Sequence, residues 1–302
     1  MTRTTAKPLQ PLKGVRILSL SLNLPGPAAL WRLKRMGANC LKVEPPAPAN
    51  APPGSSGDPM SQYSRPAYDA LHAGIRIKCA DLKTDKGQKT LHLELLKTEV
   101  LITSFRPSAL TKLGLNWQAL HQRYPKLSLV SIVGSPAARA EEPGHDLTYM
   151  AENDLLSGLI MPATLYADMG GALMATEAVL QTLLHQRQTG QGCFMEVALS
   201  DASAHLALPR AWGLTLPGTL IGGGHAGYQV YPCKDGRVAV AALEPHFAKS
   251  LCAVTGLAWN TPAMMMTAST HQYFKQFFAN HTRKELEKLA QEHDIPLYTL
   301  PT

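Results

Sequence analysis

The chain has 302 residues, of which 45% are apolar and 17% charged, so it can bury the core of one large domain or two ordinary ones. Its formal charge of +7 fits nucleic acid, an anionic surface or an anionic small molecule as partner. It has no dense Lys/Arg block, no RNP-like aromatic motif, no zinc-finger spacing and no apolar run of membrane-spanning length. Nucleic acid and membrane are therefore disfavoured, and a phosphate-rich small molecule is favoured.

The first fifty residues have the pattern of a βαβ unit. A short apolar segment at 15–20 predicts a strand, and a Pro-Gly-Pro turn leads into a predicted helix at 28–36 that ends at Gly37. A second strand is predicted at 40–43. This order within about 30 residues implies a parallel sheet. Because no G-x-G-x-x-G follows the first strand, the unit lacks the dinucleotide fingerprint.

The stretch 45–66 differs in composition from its neighbours. It holds seven of the chain's prolines together with two glycines and several serines. Such a composition predicts an irregular, mobile loop. Two interpretations remain open, a surface excursion and a flap over a ligand.

Three further strands continue the α/β pattern. Asp85 is placed to cap the helix between the first two of them, and Phe105-Arg106-Pro107 follows the carboxyl end of the second. Ligands bind at this end of the strands in open α/β sheets, so Arg106 could hold a phosphate with its guanidinium. The predicted strands are 75–80, 100–104 and 127–133, with helices at 86–96, 109–113 and 117–123.

The segment 143–171 carries the most chemistry. It places His145 and Asp168 each at the start of a predicted helix. A histidine suits proton transfer near neutral pH. Asp168 is predicted to N-cap a helix starting at Gly170, and the helix N-terminus favours a negative charge nearby. The clearest helical periodicity of the chain follows at 172–187.

The composition shifts near residue 210, where we place a domain boundary. The predicted large domain is 1–210, and the linker and small domain are 211–302. Before the boundary, a strand is predicted at 194–199 and a helix from 202 that Ser200-Asp201 could cap. After it come a hairpin (228–231 and 238–241) with an Asp-Gly turn, then helices at 245–255, 272–279 and 282–293.

Short motifs in a fixed order over most of the chain resemble the family III CoA-transferases (CaiB/BaiF type), the group that also contains the 2-methylacyl-CoA racemases. The motifs are Leu12-Lys13-Gly14-Val15-Arg16-Ile17-Leu18, Pro25-Gly26-Pro27, Gly37-Ala38-Asn39-Cys40-Leu41-Lys42-Val43-Glu44, Asp81-Leu82-Lys83, Phe105-Arg106-Pro107, Leu113-Gly114-Leu115, Gly144-His145-Asp146, Ala167-Asp168, Thr189-Gly190-Gln191-Gly192 and Glu244-Pro245.

The resemblance implies an α/β fold with a Rossmann-like parallel sheet in the large domain, a smaller α+β domain and an interlocked homodimer. It implies a coenzyme A thioester as substrate and no metal or prosthetic group. The residues expected to contact the coenzyme are Arg106, Asp146 through its backbone N–H, Lys42 and Arg76.

The racemase branch implies an acid/base site. In that branch, His145 with Glu244 behind it would move a proton on one face of the α-carbon, and Asp168 would serve the other face. The motifs therefore favour racemisation or epimerisation of a 2-methylacyl-CoA by α-proton transfer.

Two other functions stay open. In the transferase branch the matching Asp168 is the nucleophile that carries CoA as an aspartyl thioester between carboxylic acids, and Gly222-Gly223-Gly224 resembles the loop that shields it. A CoA-binding protein with weak or no activity is the third. Pro45 stands where the family usually has a coenzyme-binding arginine, and the chain stops earlier than family members usually do.

The cellular compartment is inferred from what the sequence lacks. The five cysteines are scattered without a C-x-x-C, as expected for buried thiols of a reducing compartment. The polar amino terminus, 1–12, has no apolar segment before a cleavage site. A cytoplasmic location is therefore expected.

Overall fold

The computed structural model describes residues 9–52 and 54–302, so most of the polar amino terminus and Pro53 of the proline-rich stretch lie outside the described residues. The chain divides into two compact units, one ending at Ala207 and the other running from Leu208 to Thr302. In the described part, no helix is both long enough and apolar enough to cross a bilayer.

The first unit is built on a six-stranded parallel sheet in the order β3-β2-β1-β4-β5-β6. This order is that of doubly wound α/β folds, and it confirms the prediction of an α/β fold with a parallel sheet. The strands are β1 (Arg16–Ser19), β2 (Asn39–Glu44), β3 (Arg76–Cys79), β4 (Val100–Thr103), β5 (Ser128–Val133) and β6 (Phe194–Ala198).

Helices cover both faces of this sheet. Neighbouring residues of a strand point to opposite faces, so the sheet contributes side chains to two separate cores. Ile17 lies in a core with α1 and α8, whereas Leu18 lies in a core with α4, α5 and α6. The helices are α1 (Pro25–Arg35), α2 (Met60–Tyr63), α3 (Arg65–Leu71), α4 (Asp85–Leu95), α5 (Pro107–Lys112), α6 (Trp117–Arg123), α7 (Asp146–Glu152), α8 (Tyr166–Thr189) and α9 (Leu199–Leu206), with a 3-10 helix at Ala137–Glu141.

The second unit packs helices on a three-stranded antiparallel sheet, in the order β7-β8-β9. The predicted Asp-Gly hairpin is confirmed, with Cys233 paired to Gly236 across its turn. The final strand was not predicted. The elements are α10 (Leu208–Ala211), β7 (Tyr228–Cys233), β8 (Gly236–Ala241), α11 (Pro245–Thr255), α12 (Ala268–Ala279), α13 (Arg283–His293) and β9 (Leu297–Leu300), with a π-helical turn at Leu220–Gly224 and a 3-10 helix at Pro262–Met266.

Three predicted N-caps are wrong. Helix α8 begins at Tyr166, so Asp168 lies in its first turn and does not cap it. Helix α4 is capped by the hydroxyl of Thr84, which accepts a hydrogen bond from the N–H of Gly87, and Asp85 is its first residue. Helix α9 begins at Leu199 without a side-chain cap, so Ser200-Asp201 is already helical.

The proline-rich stretch is more ordered than an irregular loop. It contains α2, and its Asp58 is fully buried. The Asp58 carboxylate accepts hydrogen bonds from the backbone N–H groups of Asn23 and Met60, both at 2.9 Å, and it contacts the ammonium of Lys42. These contacts tie the stretch to β2 and to the turn that follows β1.

The predicted burial of all cysteines is also wrong, because Cys79 is exposed.

Candidate functional site

A large pocket opens at the carboxyl ends of β2, β3 and β4. It has a volume of about 760 Å³ and is bounded by the end of β2, the loop after β3, Phe105 in the loop after β4 and the end of α5. Phe105, Leu82 and Leu113 give it apolar walls, and Lys83 and Lys112 give it two exposed cations. Open α/β sheets bind ligands at this edge, and the size suits an organic ligand that carries anionic groups.

Arg106 stands beside this pocket. It follows Phe105 directly, is exposed, and occupies the N-cap position of α5 with Pro107 as first helical residue. Burial raises the pKa of the Tyr149 hydroxyl, the Asp168 carboxylate raises it further, and the positive charge of Arg106 acts in the opposite direction. Arg106 and Asp168 therefore both lie within electrostatic reach of the same hydroxyl group.

Asp168 is held in place through its backbone. Its N–H donates to Oδ1 of Asp146 at 3.0 Å, and Asp146 is the buried first residue of α7. The first turns of α7 and α8 are thus joined by one hydrogen bond. We expected only the backbone of Asp146 to matter, but the structure gives its side chain this positioning contact.

The carboxyl group of Asp168 is an unusually weak acid. Burial is the largest cause, the nearby Asp146 carboxylate adds to it, and the two together raise the pKa of Asp168 to about 6. The charge of His145 acts in the opposite direction, so the imidazole lies within electrostatic reach of the carboxyl group. A carboxyl group with this pKa can both take and give a proton near neutral pH.

His145 is exposed at the N-cap position of α7. Its backbone N–H donates to the Thr148 hydroxyl at 3.1 Å, and that hydroxyl donates back to the His145 carbonyl oxygen at 2.8 Å. The helix start is therefore satisfied by Thr148. The His145 side chain is exposed, so a ligand can reach the imidazole.

Tyr149 is a site residue that the sequence motifs did not identify. It lies one helical turn after His145, and its buried ring fills the space beside Gly134 and Gly144. A Cβ at Gly134 would meet the Tyr149 hydroxyl at 2.2 Å, and one at Gly144 would meet it at 2.5 Å. The i, i+4 spacing from His145 is the signal in the sequence that could have indicated it.

Glu244 belongs to the second unit. It is exposed and occupies the N-cap position of α11, before Pro245, but its side chain makes no capping hydrogen bond.

The glycine-rich turn of the second unit, Leu220–Gly224, is held by two side chains. Nε2 of His271 donates to the Gly224 carbonyl at 2.8 Å, and Nε2 of Gln229 donates to the Gly223 carbonyl at 3.2 Å.

Lys42 is placed differently from the exposed coenzyme contact that we expected. It is fully buried, and its Nζ lies 2.9 Å from Oε1 of Glu44, 2.8 Å from Nε2 of His72 and in contact with Asp58. Glu44, Asp58 and His72 are spaced like metal ligands, but this ammonium already occupies the position between them. Lys42 therefore has no exposed cation to offer to a phosphate.

Arg76 is exposed but lies at the other end of the sheet. It is the first residue of β3, so it is at the amino ends of the strands, whereas the large pocket opens at their carboxyl ends. It lines a separate cavity with Arg16, Lys34 and Lys97.

A comparison with protein families gives one model that matches almost the whole chain. Residues 12–301 match the model of CoA-transferase family III. This match spans both compact units and includes all the motifs that define the resemblance.

Individual relatives fall into two groups of enzymes. The alpha-methylacyl-CoA racemase of Mus musculus is 28% identical over 91% of this chain and 73% of its own length. The succinate–glutarate CoA-transferase of Agrobacterium fabrum is 27% identical over 82% of this chain and 67% of its own. The cinnamoyl-CoA:phenyllactate CoA-transferase of Clostridium sporogenes is 29% identical over 64% of this chain. The match covers only 50% of that enzyme.

Solved structures share the fold. A hypothetical protein from Mycobacterium tuberculosis superposes with a TM-score of 0.81 at 22% identity, over 98% of this chain and 86% of that one. A CaiB/BaiF family protein from Brucella suis gives a TM-score of 0.77 at 22% identity, over 97% and 85%. At this identity, these likenesses concern the fold alone.

Proposed function

The chain belongs to CoA-transferase family III, and from this premise we propose that it binds an acyl-CoA thioester and racemises or epimerises a 2-methylacyl group by α-proton transfer. The observation that carries the proposal is the pKa of Asp168, raised to about 6, in a carboxyl group within electrostatic reach of His145. Two groups that exchange protons near neutral pH are what removal and return of an α-proton require.

The coenzyme is proposed to lie in the pocket at the carboxyl ends of the strands. Its adenine would pack against Phe105 and Leu113, and Lys83 and Lys112 would hold phosphate groups. Arg106 follows Phe105 of this pocket and lies within electrostatic reach of Tyr149, and we propose that it binds a phosphate or orients the chain that leads to the thioester. No prosthetic group or metal takes part in this scheme.

The reaction follows from the acidity that a thioester gives to its α-hydrogen. One of the pair His145 and Asp168 takes the proton, and the other returns one to the opposite face. The backbone N–H of Asp146, at the start of α7, is proposed to stabilise the enolate oxygen. Glu244 is proposed to support the imidazolium form of His145, on the resemblance of its Glu-Pro motif alone.

A homodimer remains part of the proposal. The first unit exposes Leu159, Ile160 and Met161 in the segment before α8. A run of exposed apolar side chains is typical of a surface that a partner covers. An interlocked second copy is the proposed partner, and light scattering should then give twice the mass of one chain.

Hydrogen exchange at the α-carbon tests the function. The protein is incubated in heavy water with a single enantiomer of a 2-methylacyl-CoA, and deuterium at the α-carbon is followed by NMR. We expect exchange together with inversion to the other enantiomer, and Asp168→Asn should abolish the inversion. Asp201→Asn, an exposed carboxylate in the first turn of α9, should leave the exchange unchanged. Failure of the wild-type protein to exchange the α-hydrogen of any branched acyl-CoA would remove the racemase proposal.

CoA transfer is the second candidate, and the triglycine turn favours it. At Gly222 a Cβ would meet the Leu216 carbonyl oxygen at 1.9 Å, and Gly223 has φ +91°, so this tight turn requires glycine. In this reaction Asp168 attacks the thioester carbonyl and CoA leaves as thiolate. The thiolate then attacks the aspartyl carbonyl of the mixed anhydride, which releases the carboxylate and leaves an aspartyl-CoA thioester.

Racemisation and CoA transfer predict different products that can be measured. Transfer predicts a hydroxylamine-sensitive CoA adduct at Asp168 by mass spectrometry, without deuterium at the α-carbon. Racemisation predicts deuterium at the α-carbon and no CoA adduct at Asp168. A protein that binds CoA in a calorimetric titration but shows neither trace would be a CoA-binding protein without either activity.

A further inference from the structure

A second cavity lies at the end of the sheet opposite to the large pocket. It has a volume of about 330 Å³ and opens at the amino ends of β1, β2 and β3. Its floor is formed by buried strand residues, Ile17, Cys40 and Leu41. The proposed function does not use this cavity.

Four cations from four separate parts of the first unit line this cavity. Arg16 comes from β1, Lys34 from α1, Arg76 from β3 and Lys97 from the turn after α4. The sheet register explains why they converge. Arg16 is paired with Asn39 across β1 and β2, and Arg76 is paired with Leu41 across β2 and β3. Residues that are far apart in sequence therefore meet at one edge.

The positive charge of the cavity is only partly compensated. Within 9–52 and 54–302, none of the four cationic groups forms an ion pair with a carboxylate. Glu94 is the one carboxylate in the lining, and its closest cation is Lys78, outside the cavity. Glu99 lies nearby, but its carboxylate accepts the backbone N–H of Arg16 at 2.9 Å.

The pKa of Glu94 indicates which cations lie near its carboxylate. The pKa of Glu94 is lowered first by its hydrogen bond from Lys78, and the charges of Lys97 and Arg76 lower it further. Four like charges around one concavity repel one another, and a multiply charged anion would relieve that repulsion. The Asn39 side chain adds a polar group at the same rim.

We propose that this cavity is a second anion site, which binds a compact, multiply charged phosphate compound and is separate from the coenzyme pocket. Guanidinium groups from β1 and β3, the two strands that flank β2, suit phosphate oxygens. The volume accepts a diphosphate or a small phosphorylated metabolite and is at the lower end of ligand pockets.

Calorimetric titration with inorganic diphosphate at low ionic strength tests this site. We expect saturable binding to the full chain that weakens with added salt. Arg16→Gln and Arg76→Gln should each weaken it at least tenfold, since both side chains are exposed and their loss leaves the core intact.

Two control variants make the test specific. Arg187→Gln removes an equal charge from the last turn of α8, which leads to the far edge strand β6, and should leave the affinity within twofold of wild type. Lys83→Gln/Lys112→Gln removes the cations of the large pocket and identifies any diphosphate bound there, whereas the binding event that Arg16→Gln weakens should persist in it. The proposal is overturned by absence of saturable binding, by an equal loss in Arg187→Gln, or by loss of that same binding event in the Lys83/Lys112 variant.

Discussion

Asp168 has conflicting surroundings, and the conflict explains its proposed role. The first turn of α8 favours a negative charge, whereas burial and the Asp146 carboxylate disfavour it. The second influence is larger, so the pKa is raised. The backbone N–H of Asp168 holds the group in place, so this positioning contact does not use the carboxyl oxygens.

The free energy of unfolding should depend on pH because of these opposing influences on Asp168. The pKa of Asp168 is raised from 3.8 to about 6, so the folded state holds the proton more tightly than the unfolded state. Above about pH 6 the ionised carboxyl group therefore lowers the free energy of unfolding by its full amount. This loss disappears as the pH falls towards 4. In urea denaturation, Asp168→Asn should be more stable than wild type at pH 8 and equally stable near pH 4. A difference that does not depend on pH, or one as large in Asp201→Asn, would contradict the assignment.

The α-hydrogen exchange that depends on Asp168 should follow the ionisation of its carboxyl group. In His145→Gln, the enantiomer whose α-proton Asp168 removes can exchange only while this carboxyl group is ionised, so the exchange rate should fall as the pH drops below about 6. Initial rates of deuterium entry into this enantiomer over pH 5–8 measure this dependence, and a rate that does not change with pH would exclude Asp168 as the base.

The strands and helices differ in how far local sequence predicts them. Strands β1 to β5 were predicted near their places because short apolar runs between Gly and Pro are local signals. The start of α8 was not, because Gly170-Gly171 resembles a break. A Cβ at Gly171 would meet Leu199 Cδ2 at 2.2 Å, so this glycine permits close packing of α8 on α9. Tertiary packing of that kind leaves no local pattern, and neither does the burial of Asp58 and Lys42.

Helix α7 is expected to depend on the space that glycines leave for Tyr149. At Gly134 only the hydroxyl oxygen lies within 3.0 Å of an added Cβ, whereas at Gly144 ring carbons also lie at 2.7 Å. Gly134→Ala should therefore cost about 1–3 kcal/mol of unfolding free energy. Most of that cost should vanish in a Tyr149→Phe background, and the cost of Gly144→Ala should not. A double-mutant cycle in urea measures this, and equal behaviour of the two glycines would contradict the packing described.

The proline-rich stretch is expected to depend on Lys42. Replacing this lysine by methionine leaves the carboxylates of Glu44 and Asp58 buried without their cation. We expect Lys42→Met to lower the free energy of unfolding by about 3–5 kcal/mol. Lys89→Met, at an exposed position of α4, should change it by less than about 0.5 kcal/mol. Equal stability of the two variants in chemical denaturation would show that the buried contacts do not anchor the stretch.

The first unit places groups of cations at both ends of its parallel sheet. Lys83, Lys112 and Arg106 lie at or beside the pocket at the carboxyl ends of the strands, where the coenzyme is proposed to bind. Arg16 and Arg76 line the cavity at the amino ends. Composition alone indicated an anionic small molecule, but it could not show two separate places for one, because the separation arises from the direction of the parallel strands.

Enantiomer-specific hydrogen exchange tests the central claim, that His145 and Asp168 serve opposite faces of one α-carbon. Each pure enantiomer of a 2-methylacyl-CoA is incubated in heavy water with wild type, His145→Gln or Asp168→Asn, and the first deuterium to enter is measured before any inversion. We predict that His145→Gln loses exchange mainly from one enantiomer and Asp168→Asn mainly from the other, by about 10²–10⁴-fold. Equal exchange from both enantiomers in either variant would contradict the account.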